Sequence, residues 1–395
     1  MKITPLFFFA LFVLPLYGQT PVTVVSPEVH PDRSVTFSIF APKASAVTLT
    51  ADWQWQTGPQ NFQKAENGVW SLTVGPLPPA IYIYSFTVDG IAMADPANPR
   101  IKLRDRGSAS LVEIPSDLPA LWQEWDVPHG NVETIWHKST VLNGETRTMV
   151  VYTPPGYAQE TGRRYPVLYL LHGSNDTQFG WTAVGQVNFV LDNLLAETKA
   201  VPMIIVMPFG YAINPYVRSA RSAAYPPGNN TSLFEKYLIE DVIPAIDARY
   251  RTLADREHRS IGGMSMGAEQ ALGIFFDHFD QFSSVGAFCP NGLSGLETRY
   301  PALLNNPRDT NAKISVLWLG CGRQDNNFPG SQHVDEVLSA HQINHIWQPS
   351  DAVHNYALWQ QHIAEFLPLI FQEVKSIPPP PTVSTREIGP SSKGG

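Results

Sequence analysis

The residues whose types and spacing most clearly suggest catalysis lie in the stretch "RSIGGMSMGAEQAL", residues 259–272. Its centre has the pattern G-x-S-x-G around Ser265. A serine in this pattern lies where a strand turns abruptly into a helix. The flanking residues are glycines because larger side chains would collide where the strand and the helix pass close to each other. The run before Ser265 is strand-like and the run from Ala268 is helical. We therefore predict that Ser265 is a nucleophile on a sharp turn.

A nucleophilic serine needs a histidine as its base and an acid that orients the histidine. On a mostly parallel sheet, the acid and then the base can follow the serine at later strand ends. Asp325 is the first carboxylate after the strand-like run "ISVLWL". His354 is the one histidine after Ser265 in a loop between a predicted strand and a predicted helix. We predict Asp325 as the acid and His354 as the base, with Asp351 as the alternative acid.

Backbone N–H groups must stabilise the negative charge that develops on the attacked carbonyl oxygen. We predict that one N–H comes from Met266, directly after the nucleophile, and the other from Ser174 in the loop after "VLYLLHG". Gly173 and Asn175 are the alternatives to Ser174, and His172, which precedes the turn, has a structural role. The chain has no phosphate-binding loop, dinucleotide fingerprint or H-E-x-x-H motif, so the sequence predicts no cofactor and no metal.

The elements that position these residues occupy residues 138–372, where strand-like and helical runs alternate. Strands are predicted at "RTMVVYTP", "PVLYLLHG", "MIIVMPFG", "HRSIGGMS", "FSSVGAFCP", "ISVLWLGCG" and "NHIWQP". Helices are predicted at "VNFVLDNLLAET", "LFEKYLIEDVIPAIDARY", "GAEQALGIFFDHF", "HVDEVLSAHQ" and "NYALWQQHIAEFLPLIFQ". This alternation predicts a doubly wound, mostly parallel α/β sheet.

Residues 24–118 have a different pattern. The runs "SVTFSIFAP", "AVTLTADW", "VWSLTV" and "AIYIYSFTVDG" are short, rich in β-branched residues and separated by turn residues, which predicts a smaller all-β sandwich. Residues 119–137 read as a linker to the α/β domain.

Lys2 followed by "PLFFFALFVLPLYG" is typical of a secretory signal peptide, so we expect residues 1–18 to be cleaved and the protein to be secreted or periplasmic. The Pro-rich tail, residues 377–395, is predicted to be disordered.

Composition narrows the function classes. The formal net charge of −8 and the 16% of charged residues disfavour binding to nucleic acid or to a membrane surface. The two cysteines, Cys289 and Cys321, fit no metal-site spacing; they are interpreted as two buried thiols, with a disulfide as the alternative in an oxidising compartment. The oligomeric state stays open.

Several stretches together resemble the esterase D and family 1 carbohydrate esterases, which include feruloyl and acetyl xylan esterases. They are "YPVLYLLHGSNDTQFGW", "FEKYLIEDVIPAIDARYRT", "DREHRSIGGMSMG", "GCGRQD" and His354 followed by Trp359. The resemblance implies an α/β-hydrolase fold with Ser265, Asp325 and His354 as a catalytic triad. The family often has glycine at the position of Ala268 and before His354, where Val353 stands here. The N-terminal runs "FSIFAPKASAVTLTADW" and "YIYSFTVDG" resemble an early-set immunoglobulin-like module related to glycogen-binding domains.

The resemblance implies a plant polysaccharide or feruloylated oligosaccharide as substrate, with a hydroxycinnamoyl or acetyl group as the acyl part. An aromatic acyl group would stack on aromatic side chains, for which the candidates are Trp181, Phe209, Tyr211 and Trp359. Trp53 and Trp55 could bind sugar, although packing is the simpler role. The alternative hypotheses are an acetyl xylan esterase, a siderophore trilactone esterase and a non-catalytic carbohydrate-binding protein.

Overall fold

The computed structural model describes residues 22–54, 57–213 and 230–372. The chain divides into two compact units. The first runs through Lys102 and includes Gly107–Ser116, and the second contains Leu103–Arg106 and the chain from Asp117 onward. The predicted signal peptide, the predicted tail and Trp55 lie outside the described residues.

The first part of the chain forms two antiparallel sheets. Its strands are β1 (Glu28–Val29), β2 (Val35–Phe40), β3 (Val47–Ala51), β4 (Gln60–Asn61), β5 (Gln63–Lys64), β6 (Val69–Val74), β7 (Ala80–Val88), β8 (Ile91–Met93), β9 (Ile101–Leu103) and β10 (Ser108–Ile114). The sheet orders are β1-β2-β6-β5 and β4-β3-β7-β10-β9, with β8 also paired to β7. Inward side chains of the two sheets meet, as the rings of Phe37 and Tyr84 do at 4.6 Å. The predicted all-β sandwich is confirmed, and Trp53 packs against Phe37 and Tyr82.

The second unit is built on an eight-stranded sheet. Its strands are β11 (Asn131–Ser139), β12 (Glu145–Thr153), β13 (Val167–Leu171), β14 (Ile204–Pro208), β15 (Arg259–Met264), β16 (Ser284–Phe288), β17 (Val316–Gly322) and β18 (Ile346–Ser350). They lie in the order β11-β12-β14-β13-β15-β16-β17-β18. The pairs β11/β12 and β12/β14 are antiparallel, and the strands from β14 to β18 run parallel. This arrangement is an α/β-hydrolase fold, as predicted.

Helices cover the faces of this sheet. They are α1 (Gly180–Ala183), α2 (Val187–Ala196), α3 (Asn230–Tyr237), α4 (Ile243–Arg249), α5 (Met266–Asp277), α6 (Leu296–Arg299), α7 (Pro301–Leu304), α8 (Pro307–Asn311), α9 (Phe328–Ala340) and α10 (Tyr356–Phe366). A π-helical turn, Leu238–Val242, joins α3 to α4, so the predicted helix there is continuous. The central strands β13, β14 and β16 are buried along their whole length, as expected of parallel strands covered on both faces. In the described ranges no helix combines the length and the apolar character that crossing a membrane requires.

The predicted linker is wrong in its second half. Residues 131–137 belong to β11, which pairs with β12 from Asn131 to Ser139. Of the nine residues of β11, only Ile135 and Ser139 are buried. An edge strand that buries so few side chains lacks the apolar alternation from which strands are predicted.

Candidate active site

Ser265 occupies the sharp turn between β15 and α5. Its backbone has φ 54° and ψ −121°, a conformation that costs energy for a residue with a side chain and is seen mainly at functional sites. A Cβ on Gly263 would lie 2.6 Å from the carbonyl group of Gly267, and one on Gly267 would lie 2.6 Å from the carbonyl oxygen of His172. Both glycines are therefore needed for strand and helix to cross this closely.

A line of hydrogen bonds connects the serine to a histidine and an acid. The Ser265 Oγ lies 3.0 Å from Nε2 of His354, and Nδ1 of His354 lies 2.6 Å from Oδ2 of Asp325. His354 comes from the loop between β18 and α10, and Asp325 follows β17, so the three residues meet at the carboxyl edge of the parallel strands. The alternative acid, Asp351, is exposed and pairs with Arg323 at 3.1 Å.

The protonation states follow from these contacts. Burial raises the pKa of Asp325, but the hydrogen bond and charge of His354, together with the Asn327 N–H, outweigh it, and the pKa lies below its ordinary value. An ionised carboxylate can only accept hydrogen bonds, so Nδ1 of His354 carries the proton. Nε2 is then the acceptor for the hydroxyl of Ser265. This is the tautomer that a general base for a serine requires.

The two predicted oxyanion donors directly follow Ser265 and Gly173 in the chain. Met266 is the first residue of α5, so its N–H precedes the first intrahelical hydrogen bond. Gly173 touches the nucleophile, since a Cβ there would lie 3.2 Å from Cβ of Ser265. The next residue, Ser174, is exposed, whereas the N–H of Asn175 donates to the hydroxyl of Tyr211 at 3.0 Å. Met266 and Ser174 are thus better placed than Asn175 to hold an oxyanion.

His172 orients the peptide group before Ser174. Its Nε2 accepts the N–H of Gly210 at 2.8 Å, so its Nδ1 carries the proton and donates to the carbonyl oxygen of Gly173, also at 2.8 Å. The N–H of Ser174 belongs to that same peptide group and points opposite to the carbonyl, away from the His172 ring. His172 therefore stabilises the loop, in agreement with its predicted structural role.

The four aromatic candidates differ in exposure. Trp181 is 1% exposed and its Nε1 donates to the carbonyl oxygen of Leu171, so the prediction that it contacts substrate is wrong: α1 turns the ring into the core. Trp359 is also buried, and its ring meets that of His354 at a right angle, 4.9 Å between centroids. Tyr211 is buried as well. Phe209 is half-buried, with the guanidinium of Arg147 over its ring at 5.2 Å.

The two cysteines are free, buried thiols, and Cys289 lies beside the triad. Burial and the neighbouring Cys321 raise the pKa of Cys289 well above its ordinary value, so its thiol stays protonated. Within the described residues, one group of possible metal ligands has its atoms within 4.8 Å of one another: Cys289, Asp325 and His354. Since Asp325 and His354 already bond to each other, a triad accounts for this group.

One contact near the site is not predicted by the sequence. The hydroxyl of Tyr356, at the start of α10, donates to Oδ2 of Asp176 in the loop after β13, at 2.5 Å. The two residues are 180 positions apart, and no local motif connects them. A tyrosine two residues after the predicted base was the one available hint.

Two protein-family models match this chain, in the regions of the α/β sheet and of the β-sandwich. The family model "putative esterase" matches residues 139–369, and the model of carbohydrate-binding module 48 (isoamylase N-terminal domain) matches residues 25–100. An endo-1,4-beta-xylanase/feruloyl esterase from Xylanibacter ruminicola is 29% identical over 354 residues, which are 88% of this chain and 46% of that protein. The chain spans less than half the length of the curated relatives it matches.

Solved structures give a similar picture. A family 1 ferulic acid esterase from the anaerobic fungus Anaeromyces mucronatus is 26% identical with a TM-score of 0.54, covering 64% of this chain and 96% of that one. An enterobactin esterase from Shigella flexneri has a TM-score of 0.61 over 85% of this chain and 92% of that one, and at 18% identity it shows the fold alone. With the esterase model matching well over half of its residues, the chain belongs to the esterase family.

Proposed function

We propose that this protein is a serine carboxylic-ester hydrolase that releases a hydroxycinnamic acid, such as ferulic acid, from plant cell-wall arabinoxylan. The observation that carries the proposal is the continuous line from Ser265 through His354 to Asp325, with the serine on a strained turn. The feruloyl group and the plant polysaccharide are supported by the name of the Xylanibacter relative and by the Anaeromyces structure.

The proposed reaction uses these groups in turn. Ser265 Oγ attacks the ester carbonyl while Nε2 of His354 takes its proton, and the carboxylate of Asp325 stabilises the imidazolium that forms. The N–H groups of Met266 and Ser174 hold the negative oxygen. The tetrahedral intermediate then collapses as His354 returns the proton to the departing sugar hydroxyl, leaving an acyl group on Ser265. Water, activated by His354, releases the acid.

The site of action is part of the same proposal. Residues 1–18 read as a secretory signal peptide, and a polysaccharide of the plant cell wall is met outside the bacterial or fungal cytoplasm. We infer that the protein is exported. Cell fractionation with amino-terminal sequencing tests this inference: we expect a shortened amino terminus in the culture medium or periplasm, and recovery only from the cytoplasm with an intact Met1 would contradict it.

A Ser265→Ala variant tests the chemistry. It removes the nucleophile and should lower kcat for methyl ferulate by at least about a thousandfold. Ser174→Ala is the matched control, because Ser174 acts through its backbone N–H and should keep most of the activity. A fluorophosphonate probe should label the wild type and Ser174→Ala but not Ser265→Ala. Wild-type turnover by Ser265→Ala would refute the proposal.

A substrate panel tests the acyl group and the sugar. Methyl ferulate and feruloylated arabinoxylan oligosaccharides should be turned over with a higher kcat/KM than acetylated xylan or a trilactone siderophore. A preference for acetylated xylan would replace the feruloyl assignment with an acetyl xylan esterase. A preference for the trilactone would replace it with a siderophore esterase, while leaving the triad in place.

A further inference from the structure

The hydrogen bond between Tyr356 and Asp176 joins the two loops that carry the catalytic groups. The oxyanion loop, residues 172–179, contains Ser174, and Asp176 lies two residues further on. The base loop, residues 351–355, contains His354, and Tyr356 follows it directly as the first residue of α10. The bond spans 2.5 Å, and both side chains are buried.

Gly180 and Trp359 pack closely around this bond. A Cβ on Gly180 would overlap the Tyr356 hydroxyl and lie 2.5 Å from Oδ2 of Asp176, so no larger residue fits there. The edge of Trp359 packs on Tyr356 at 5.0 Å, and the same indole ring meets His354 at 4.9 Å. A displacement of Tyr356 would therefore reach the base through Trp359.

Tyr356 is the donor of this bond, and Asp176 is fixed to its own loop. Burial, reinforced by the charge of Asp176, raises the pKa of Tyr356 well above its ordinary value, so its hydroxyl remains a donor. The other oxygen of Asp176, Oδ1, accepts the N–H of Thr177 at 2.7 Å, which fixes the carboxylate to its own loop.

We propose that Tyr356 and Asp176 are positioning residues, which hold the oxyanion loop and the base loop in register with each other. The inference rests on the proposed serine-esterase function. The oxyanion donor Ser174 and the base His354 come from segments far apart in the sequence, yet both must act on one carbonyl group. A misplacement of about 1 Å in such a site can cost about a hundredfold in rate. In this proposal Tyr356 and Asp176 act through the loops that carry the catalytic groups.

The primary test is Tyr356→Phe, which removes one oxygen and keeps the ring. We expect kcat for methyl ferulate to fall about tenfold to a hundredfold while KM changes by less than about twofold, because alignment is lost and ground-state binding is not. Labelling of Ser265 by a fluorophosphonate should slow in parallel.

The chain offers a closely matched control. Tyr152 in β12 is also fully buried and donates to a buried carboxylate, Asp192, at the same distance of 2.5 Å, but neither residue contacts the triad. Tyr152→Phe should lower the melting temperature about as much as Tyr356→Phe while keeping the wild-type kcat. If both variants lose kcat equally, or if folded Tyr356→Phe keeps the wild-type kcat, the positioning role is refuted.

Variants of the acceptor provide a rescue test. Asp176→Asn keeps a side-chain oxygen that can accept from Tyr356 and should retain more kcat than Asp176→Leu, which removes the acceptor. If one interaction is responsible, the double variant Tyr356→Phe/Asp176→Leu should lose no more than the worse single variant. Full additivity of the two losses would contradict the proposal.

Failure of this inference and failure of the proposed function are distinguishable. If Ser265→Ala abolishes turnover but Tyr356→Phe does not change kcat, only the positioning role falls. If the wild type shows no Ser265-dependent turnover of any ester in the panel, the proposed function itself falls.

Discussion

His362 on α10 should make this protein sensitive to acid. The side chain is fully buried, with its ring 4.9 Å from that of Trp318 and 5.8 Å from that of Phe288. Within the described residues neither ring nitrogen has a hydrogen-bond partner. Burial lowers the pKa of His362 from 6.5 to about 3, even though the charge of Asp325 acts in the opposite direction.

The pH dependence of the free energy of unfolding follows from the difference between the pKa of His362 in the folded and in the unfolded state. In the unfolded chain His362 takes up a proton near its ordinary pKa of 6.5, whereas in the folded protein it does so only near 3. The unfolded state therefore binds more protons between these values, and the free energy of unfolding falls as the pH falls. A shift of one pKa unit corresponds to about 1.4 kcal/mol, so the loss from pH 7 is about 2.5 kcal/mol at pH 4.5 and about 4 kcal/mol at pH 3.

Replacing His362 with leucine, an apolar residue of similar volume, tests this reasoning. His362→Leu should be at least as stable as the wild type at pH 7, because a buried polar group without partners is removed. It should also lose about 2.5 kcal/mol less than the wild type between pH 7 and pH 4.5. Urea unfolding at a series of pH values, followed by near-ultraviolet circular dichroism, measures both quantities.

The control is His333→Gln on α9. His333 is exposed, so this variant controls for the loss of a histidine without a change in the core. The reasoning is refuted if His362→Leu and the wild type lose stability in parallel as the pH falls.

Two further predictions concern the turn and the stability of the sheet edge. Gly267→Ala should abolish ester hydrolysis and lower the melting temperature, because its Cβ would press on the backbone oxygen of His172 at 2.6 Å; an active, equally stable variant would contradict this. Asp241→Asn should lower the free energy of unfolding at pH 7 by about 1–3 kcal/mol, since the carboxylate accepts from Ser139, Thr140 and the Val141 N–H. Burial raises the pKa of Asp241, but these hydrogen bonds lower it by more, so this stability is complete well above pH 3.8 and is lost as the pH falls through the lowered value. In urea unfolding at low pH, Asp241→Asn should therefore lose about 1–3 kcal/mol less than the wild type does.

Local patterns were sufficient for much of the fold. The apolar runs of the second unit predicted its strands from β12 onward and its longer helices, because burial on both faces of a parallel sheet leaves a strong signal in the sequence. The strand β11 was missed because it lies at an edge and buries little. The strand β10 was missed although five of its seven residues are buried; "SASLVEI" begins with three small residues, two of them serines, which weakens its apolar signal.

The sequence by itself determined the turn at Ser265 and the order of Ser265, Asp325 and His354, since each depends on a short segment and its place at a strand end. Only the tertiary structure decided which aromatic side chains face solvent and which distant residues meet. Trp181 is buried in the core, and Asp176 forms a hydrogen bond with Tyr356, 180 positions later in the sequence. The physical reason is that side-chain direction and contact depend on how whole elements pack against one another, and no periodicity within one element encodes the position of its partner.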